Sequence, residues 1–194
     1  FEKLLEWEHL PFKFGLPPQL GGFRILAMQF RGCKLAAADK SSWDWTVSSW
    51  ETEAFISCLR QWCANWDGLR EHAVRSLFSP GRQLKLSHQT SVQLDVPGVM
   101  PSGTFFTISA NSILQVLVHR VICAELGVSY SDPFSCGDDT LQVDPEDARY
   151  WKRWEEYGHI IKEVSFTAPG EPFEFMGHLM SESSCCPAYV SKHA

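Results

Sequence analysis

The chain lacks any uninterrupted apolar run near the roughly 18 residues that a membrane-spanning helix needs, and no basic segment followed by an apolar core stands at its start. Neither a membrane span nor a secretory leader is therefore expected within these 194 residues. Positive charge is also scarce: 17 Lys and Arg against 23 Asp and Glu leave a formal net charge of −6. A protein whose whole surface grips phosphates is excluded, because such binding draws on clustered Lys and Arg. A polynucleotide partner requires the acids to concentrate where a metal sits and the basic groups to lie elsewhere. Paired CxxC spacing is missing too. The seven cysteines, Cys33, Cys58, Cys63, Cys123, Cys136, Cys185 and Cys186, are an odd set that reads as reduced thiols of a cytosolic protein. Cys58, Cys63 and His72 do not suggest a metal cluster, since two cysteines five apart on a helix point away from a common face.

There is no internal repeat and no low-complexity segment. What the chain has in quantity is apolar content, 44%, with 13% aromatic residues, enough for one sizeable core without staples. It begins at Phe1 and ends with Ser191-Lys192-His193-Ala194, which complete no recognisable element, so a piece of a longer protein is expected.

Residues 1–32 carry the breakers Leu16-Pro17-Pro18 and Gly21-Gly22 and read as irregular. Residues 34–39 read as a short buried strand that turns polar at Asp39. Between Ser48 and Trp66, apolar residues recur at helical steps. Leu84, Leu86, Val92 and Leu94 alternate as in a hairpin, and a strongly apolar helix is predicted over 111–126, stopped by Gly127. Asp144 as N-cap with Pro145 behind it predicts a further helix running to about Tyr157. Two strands, 160–166 and 173–180, follow. This order predicts an α+β fold, a small antiparallel sheet with helices packed on one face.

Three polar constellations stand out. Gly137-Asp138-Asp139 falls at the tip of a predicted hairpin, Phe134 to Val143, where two adjacent carboxylates make a place for a divalent metal. Gly-Asp is also ordinary turn chemistry, so the tripeptide alone leaves both readings open. Upstream lie Asp39 and Asp44. Between them, Ser102-Gly103 offers a turn that lets backbone approach a substrate, and Thr107, Asn111 and Ser112 line one side of a helix start; Ser102 and Asn111 could equally be helix caps. Phosphoryl transfer to a growing chain uses two divalent ions about 4 Å apart. Hard ions such as Mg²⁺ take a few carboxylates plus substrate phosphates. Asp39 and Asp138 could converge as those ligands if their strands pair.

In this order and spacing the residues resemble the palm of viral RNA-dependent RNA polymerases. The first motif of that family, Asp, four residues, Asp, is matched by Asp39 to Asp44. The second, Ser-Gly, three residues, Thr, three residues, Asn-Ser, is matched at Ser102, Gly103, Thr107, Asn111 and Ser112. Gly137-Asp138-Asp139 matches the third. Separations of 63 residues from Asp39 to Ser102 and 36 from Ser102 to Asp138 suit the family. Tyr157 to Lys162 resembles the fourth motif and Phe173 to His178 the fifth. Trp43-Asp44-Trp45, Phe14-Gly15-Leu16 and Phe173-Glu174-Phe175 resemble positive-strand RNA viruses of the sobemovirus, polerovirus and barnavirus kind.

The resemblance implies that Asp39 and Asp138, with Asp139 beside them, hold two Mg²⁺ or Mn²⁺ ions, and that Asp139 assists near the 3′ end. It implies that Asp44 and Asn111 recognise the ribose 2′-hydroxyl, supported by Ser102, Gly103 and Thr107. Lys162 would protonate the departing pyrophosphate, although a lysine on an exposed strand is as readily just solvated. His178 and Lys192 are left as structural or surface residues. Implied domains are a connecting, fingers-derived segment 1–33, a palm core 34–168 with a fingers insertion at about 67–100, and a primer-strand motif with the start of a thumb over 169–194. Implied partners are template and nascent RNA, NTPs and other viral replication proteins, in a membrane-associated complex in the host cytoplasm. Departures matter. The basic fingers motif is not placed, since Arg24, Arg31 and Lys34 lie too close to Asp39, and a thumb is expected beyond Ala194, so the isolated segment is expected to be inactive. The rivals are a reverse transcriptase, which carries an aromatic gate where this chain has Asp44, and a truncated palm that binds a partner without turnover. A metal-dependent nuclease has no need of the Ser102 to Ser112 segment.

Overall fold

Antiparallel pairing around one strand organises the chain. In the computed structural model, which describes residues 10–18, 21–85 and 87–189, strand β1 (Leu35–Ser41) has neighbours on both sides. The hairpin of β4 (Phe134–Cys136) and β5 (Asp139–Val143) joins one side, in register from Leu35↔Val143 to Ala38↔Thr140. Strand β6 (Ile160–Thr167) joins the other, giving the order β4-β5-β1-β6. Side chains alternate, so Leu35, Ala37 and Asp39 share one face of β1 and Ala36, Ala38 and Lys40 the other. Residues 11–13 run along the free edge of β4, with Ser135 N–H donating to Pro11 O (2.9 Å) and Lys13 N–H to Ser135 O (2.8 Å).

The Ala36 face is covered by helices. Helix α1 (Gly22–Gln29) lies upstream, and α2 (Trp43–Thr46), α3 (Ser49–Trp62), α4 (Gly68–Ser76), α5 (Thr107–Leu126) and α6 (Ala148–Glu156) follow in order. Phe55 and Ile56 of α3, Leu114 and Val118 of α5, and Tyr150 and Trp154 of α6 form the main core. Helix α5 is long and apolar enough to cross a membrane by length and composition, but 61% of that stretch is buried within the fold, as befits a core helix. The opposite face carries a second cluster, in which Phe23 and Leu26 of α1 meet Leu35, Leu141 and the strands β7 (Phe173–Phe175) and β8 (His178–Met180). Strand β9 (Cys185–Pro187) completes a separate three-stranded sheet, β7-β8-β9.

The α+β class with antiparallel sheets matches the expectation, and several details correct it. Residues 22–29, expected to be irregular, form α1, because the Gly21-Gly22 pair opens the helix rather than breaking it and Phe23, Leu26 and Ala27 bury one face. Segment 173–180 is two strands, turned at Met176-Gly177. Helix α6 begins after Asp147, whose carboxylate accepts from Arg149 N–H (2.9 Å); Asp144 instead pairs with Lys34 Nζ (2.7 Å). Helix α3 ends at Trp62, and α4 was not foreseen. The hairpin of β2 (Arg82–Lys85) and β3 (Ser91–Leu94) is present; Leu86 of its expected alternation lies outside the described residues, as does Lys192. None of the seven cysteines is in a disulfide.

The loop after this hairpin brings the distant segments together. Gly98 has φ +84°, and a Cβ there would stand 2.6 Å from Val47 O, so both backbone conformation and space demand glycine. Gly98→Ala should destabilise the protein by roughly 2–4 kcal/mol, from left-handed strain plus overpacking. A fall in the urea midpoint without a change in m-value is the expected result.

Candidate functional site at the head of the central sheet

Asp39, Asp138 and Asp139 are exposed and line one cleft of about 460 Å³. Its floor is the Ala37 and Asp39 face of β1 with Glu163, Ser165 and Thr167 of β6, and its far wall is Glu174, Phe175 and Leu179 of the β7–β8 hairpin. Small residues on the floor leave the room. Three acids meet here because of two turns of backbone geometry. The β1–β5 register stops at Ala38↔Thr140, so Asp39 lies just past its end, beside the hairpin tip. At that tip Gly137 takes φ +66° and Asp138 completes the turn, with Asp139 already the first residue of β5.

The hairpin tip is held from behind by α5. Ser112 Oγ accepts from Gly137 N–H (2.8 Å) and donates to Ile108 O (2.7 Å), while Ser135 Oγ donates to Ser112 O (2.9 Å). One turn further on, the Gln115 amide donates to Asp138 O (3.0 Å). Burial, then the Asp139 and Asp138 charges, pushes the Cys136 thiol up to about 11, so it stays neutral beside the turn.

Lys162 enters through a register slip. Asp39 faces Glu163 on β6, but Lys40 faces Ile161, so Lys162 is the extra residue of a bulge, a device that re-aims a side chain. Its ammonium donates to Asp39 Oδ2 (2.9 Å), and this hydrogen bond and the carboxylate's charge raise its pKa. Below the cleft, Lys40 Nζ donates to Thr140 Oγ1 (3.0 Å) and lies 4.5 Å over the Trp154 ring. Burial pushes Lys40 down to about 7, against the upward pull of Asp138, Asp139 and Asp39.

A second group of the expected residues assembles around Asp44 on α2. Asn111 Nδ2 donates to Asp44 Oδ1 (2.9 Å), and Ser102 Oγ donates to Asp44 Oδ2. Ser102 arrives because Val99 N–H donates to Val47 O (2.8 Å) and Met100 N–H to Asp44 O (2.7 Å). Ser102 and Asn111 are therefore partners of Asp44 rather than helix caps. Gly103 sits in the same turn with φ +87°, and Thr107 Oγ1 closes it by donating to Pro101 O (3.2 Å) and Thr104 O (3.0 Å). Trp43 is buried and stacks on His159 at 4.3 Å and 12°, whereas Trp45 is 60% exposed, so the two tryptophans flank Asp44 with opposite roles in packing. His178 is buried, with Nδ1 2.8 Å from Met176 O, a structural position.

Residues 8–185 match the family model described as viral RNA-dependent RNA polymerase. The chain belongs to that polymerase family. It is 28% identical over 193 residues to the replicase polyprotein P2AB of Southern cowpea mosaic virus, covering 93% of this chain. It is also 28% identical over 197 residues to P2AB of Southern bean mosaic virus, covering 94%, and 28% over 155 residues to P2AB of Cocksfoot mottle virus, covering 76%. These are sobemovirus replicase polyproteins, in keeping with the resemblance carried by Trp43-Asp44-Trp45. The chain spans 19%, 19% and 15% of their respective lengths.

Polymerases of this family generally use divalent metals. Among the described residues no three His, Cys, Asp or Glu side chains gather into a metal cage, so the three aspartates share a cleft without sharing one coordination sphere. Asp39 instead makes an ion pair with Lys162 (2.9 Å). The donor chemistry still fits Mg²⁺, which uses one or two carboxylates and completes its shell with water and substrate phosphates.

Reading the sequence missed Gln115, Lys40 and the acids Glu163 and Glu174. Gln115 was detectable, because Asn111, Gln115 and His119 recur every four residues along one line of a largely apolar helix; all three prove buried. Ser112→Ala should leave the buried Gly137 N–H without its acceptor, costing about 1–3 kcal/mol. Denaturant unfolding and faster exchange of the Gly137 amide would register the loss.

Proposed function

We propose that this chain is the palm, with a fingers insertion at 67–100 and the start of a thumb beyond 169, of a replicase that copies RNA from an RNA template. The supporting observation is the pairing of two groups on neighbouring elements: an open cleft lined by Asp39, Asp138 and Asp139, and a hydrogen-bonded Asp44, Asn111 and Ser102 set. Asp39 and Asp138 would hold two Mg²⁺ or Mn²⁺ ions, with Asp139 beside them. Bound there, the ions would activate the 3′-hydroxyl for in-line attack on the NTP α-phosphate and steady the leaving pyrophosphate. The chain's own residues orient and select. The backbone around Asp138, tied to α5 through Gln115 and Ser112, presents its carboxylate on a rigid turn, and such positioning is a large part of phosphoryl-transfer catalysis.

Ribose selection falls to Asp44 and Asn111. Asp44 is half-buried and oriented by two donors, and the Asn111 Oδ1 atom is buried without a donor, an acceptor that a sugar hydroxyl would satisfy. An aromatic gate against the 2′-hydroxyl is not what occupies this position, which favours ribonucleotides over the deoxynucleotides of a reverse transcriptase. Lys162, kept protonated by Asp39, is a proton source at the rim of the cleft and would hand a proton to pyrophosphate. Template and nascent RNA, NTPs and other replication proteins are the partners this role requires, in a membrane-associated complex of the host cytoplasm. The −6 charge fits a palm whose phosphate-gripping groups lie in other parts of the polymerase.

In the full-length protein, Mg²⁺-dependent NTP incorporation should fall by several orders of magnitude in Asp138→Ala or Asp39→Ala, the loss expected when several kcal/mol of charge stabilisation disappear. Incorporation unaltered in a folded Asp138→Ala protein would refute catalysis at this turn. Asn111→Ala should instead narrow the preference for NTPs over dNTPs, read as the ratio of their kcat/KM values.

A further inference from the structure

We propose that Lys40 is a positioning residue, a clamp under the acidic cleft that holds the strand carrying Asp39 against the strand that begins at Asp139. The proposal rests on the reading of these aspartates as the metal-holding acids. The backbone register between β1 and β5 runs from Leu35↔Val143 to Ala38↔Thr140 and stops, so the carboxylates project from the part of the two strands beyond that register. On the other side β1 stays paired with β6 as far as Ser41↔Ile160, but that register slips between Asp39 and Lys40. The Lys40 side chain crosses this gap: Nζ donates to Thr140 Oγ1 at 3.0 Å, linking the residue after Asp39 to the residue after Asp139.

The surroundings make the bond effective. Lys40 is 6% exposed, with the Trp154 ring 4.5 Å and the Trp43 ring 5.8 Å from its nitrogen, so water does not compete for the donor. Fold stability does not account for a lysine here. Burying an amine costs several kcal/mol, and a methionine would fill a similar space without that cost. What lysine adds is a directional bond across the strands. An N–H donates to Thr140 whether the amine is charged or neutral, so the clamp does not depend on its ionisation. Trp43 and Trp154 pack against each other beside the lysine nitrogen, and Trp43 also precedes Asp44, so one packed unit supports both the cleft and the Asp44 group.

The test compares Lys40→Met, Thr140→Val and Thr140→Ser in the full-length protein by hydrogen exchange of residues 137–140 and by calorimetric Mn²⁺ titration. Lys40→Met and Thr140→Val should each speed exchange of this segment about tenfold and weaken Mn²⁺ binding about tenfold, the range seen when groups supporting metal ligands are lost. Thr140→Ser, which keeps the hydroxyl, should behave as the parent, and the urea midpoint of Lys40→Met should not fall. Wild-type exchange and affinity in Thr140→Val would overturn the clamp, as would tighter Mn²⁺ binding in Lys40→Met, which would make Lys40 a repelling charge instead. If the parent shows no Mn²⁺ binding that Asp138→Asn abolishes, the metal-site reading fails, and the exchange rates alone decide the clamp.

Discussion

The antiparallel register of β1 is the constraint on which the site depends. One alanine-rich strand is held by a hairpin on one side and by β6 on the other, and its alternation sends Asp39 to the cleft and Lys40 to the core. A slip of one residue on either side would exchange those faces, burying a carboxylate among helices and exposing the lysine. The local slip that does occur, opposite Lys162, is confined to β6, so it moves only the lysine that meets Asp39.

Helix α5 is the second organiser, and it works through polar groups in an apolar helix. Asn111 reaches Asp44, Ser112 caps the Gly137 turn, and Gln115 holds the Asp138 carbonyl, so two sequence-distant segments are referred to a single rigid element. Buried hydrogen bonds of this kind contribute about 1 kcal/mol each, little beside the hydrophobic core. Leaving one unmade costs more than making it gains, which turns them into specifiers of geometry. The apolar residues Leu114, Val118 and Ile122 supply the packing that keeps the helix in place.

Much of the fold was legible because its elements follow strong local rules. The apolar run before Gly127 forms the expected helix, with Gly127 at φ +68°, and the tripeptide at 137–139 turns a hairpin as its composition demands. The misses also have local causes. Gly21-Gly22 looks the same whether it breaks a helix or opens one, and Asp144 and Asp147 are equally good caps until Lys34 claims Asp144. At Met176-Gly177 a short turn hides inside a segment that reads as one strand, since apolar residues stand on both sides of it and only the single Gly177 marks the turn.

The sequence by itself determined the chemistry available here: which carboxylates, hydroxyls and amides exist, in what order, and that an aspartate and not an aromatic residue stands at position 44. Motif order is a one-dimensional property, and the family is recognised by it. Only the tertiary structure decided which groups touch. The meeting of Asp44 with Ser102 and Asn111, the bulge that lends Lys162 to Asp39, and the burial of Lys40 under Trp154 all join residues far apart in the chain. Strand register and the shape of the packed core fix those distances, and neither is encoded in any short stretch of sequence.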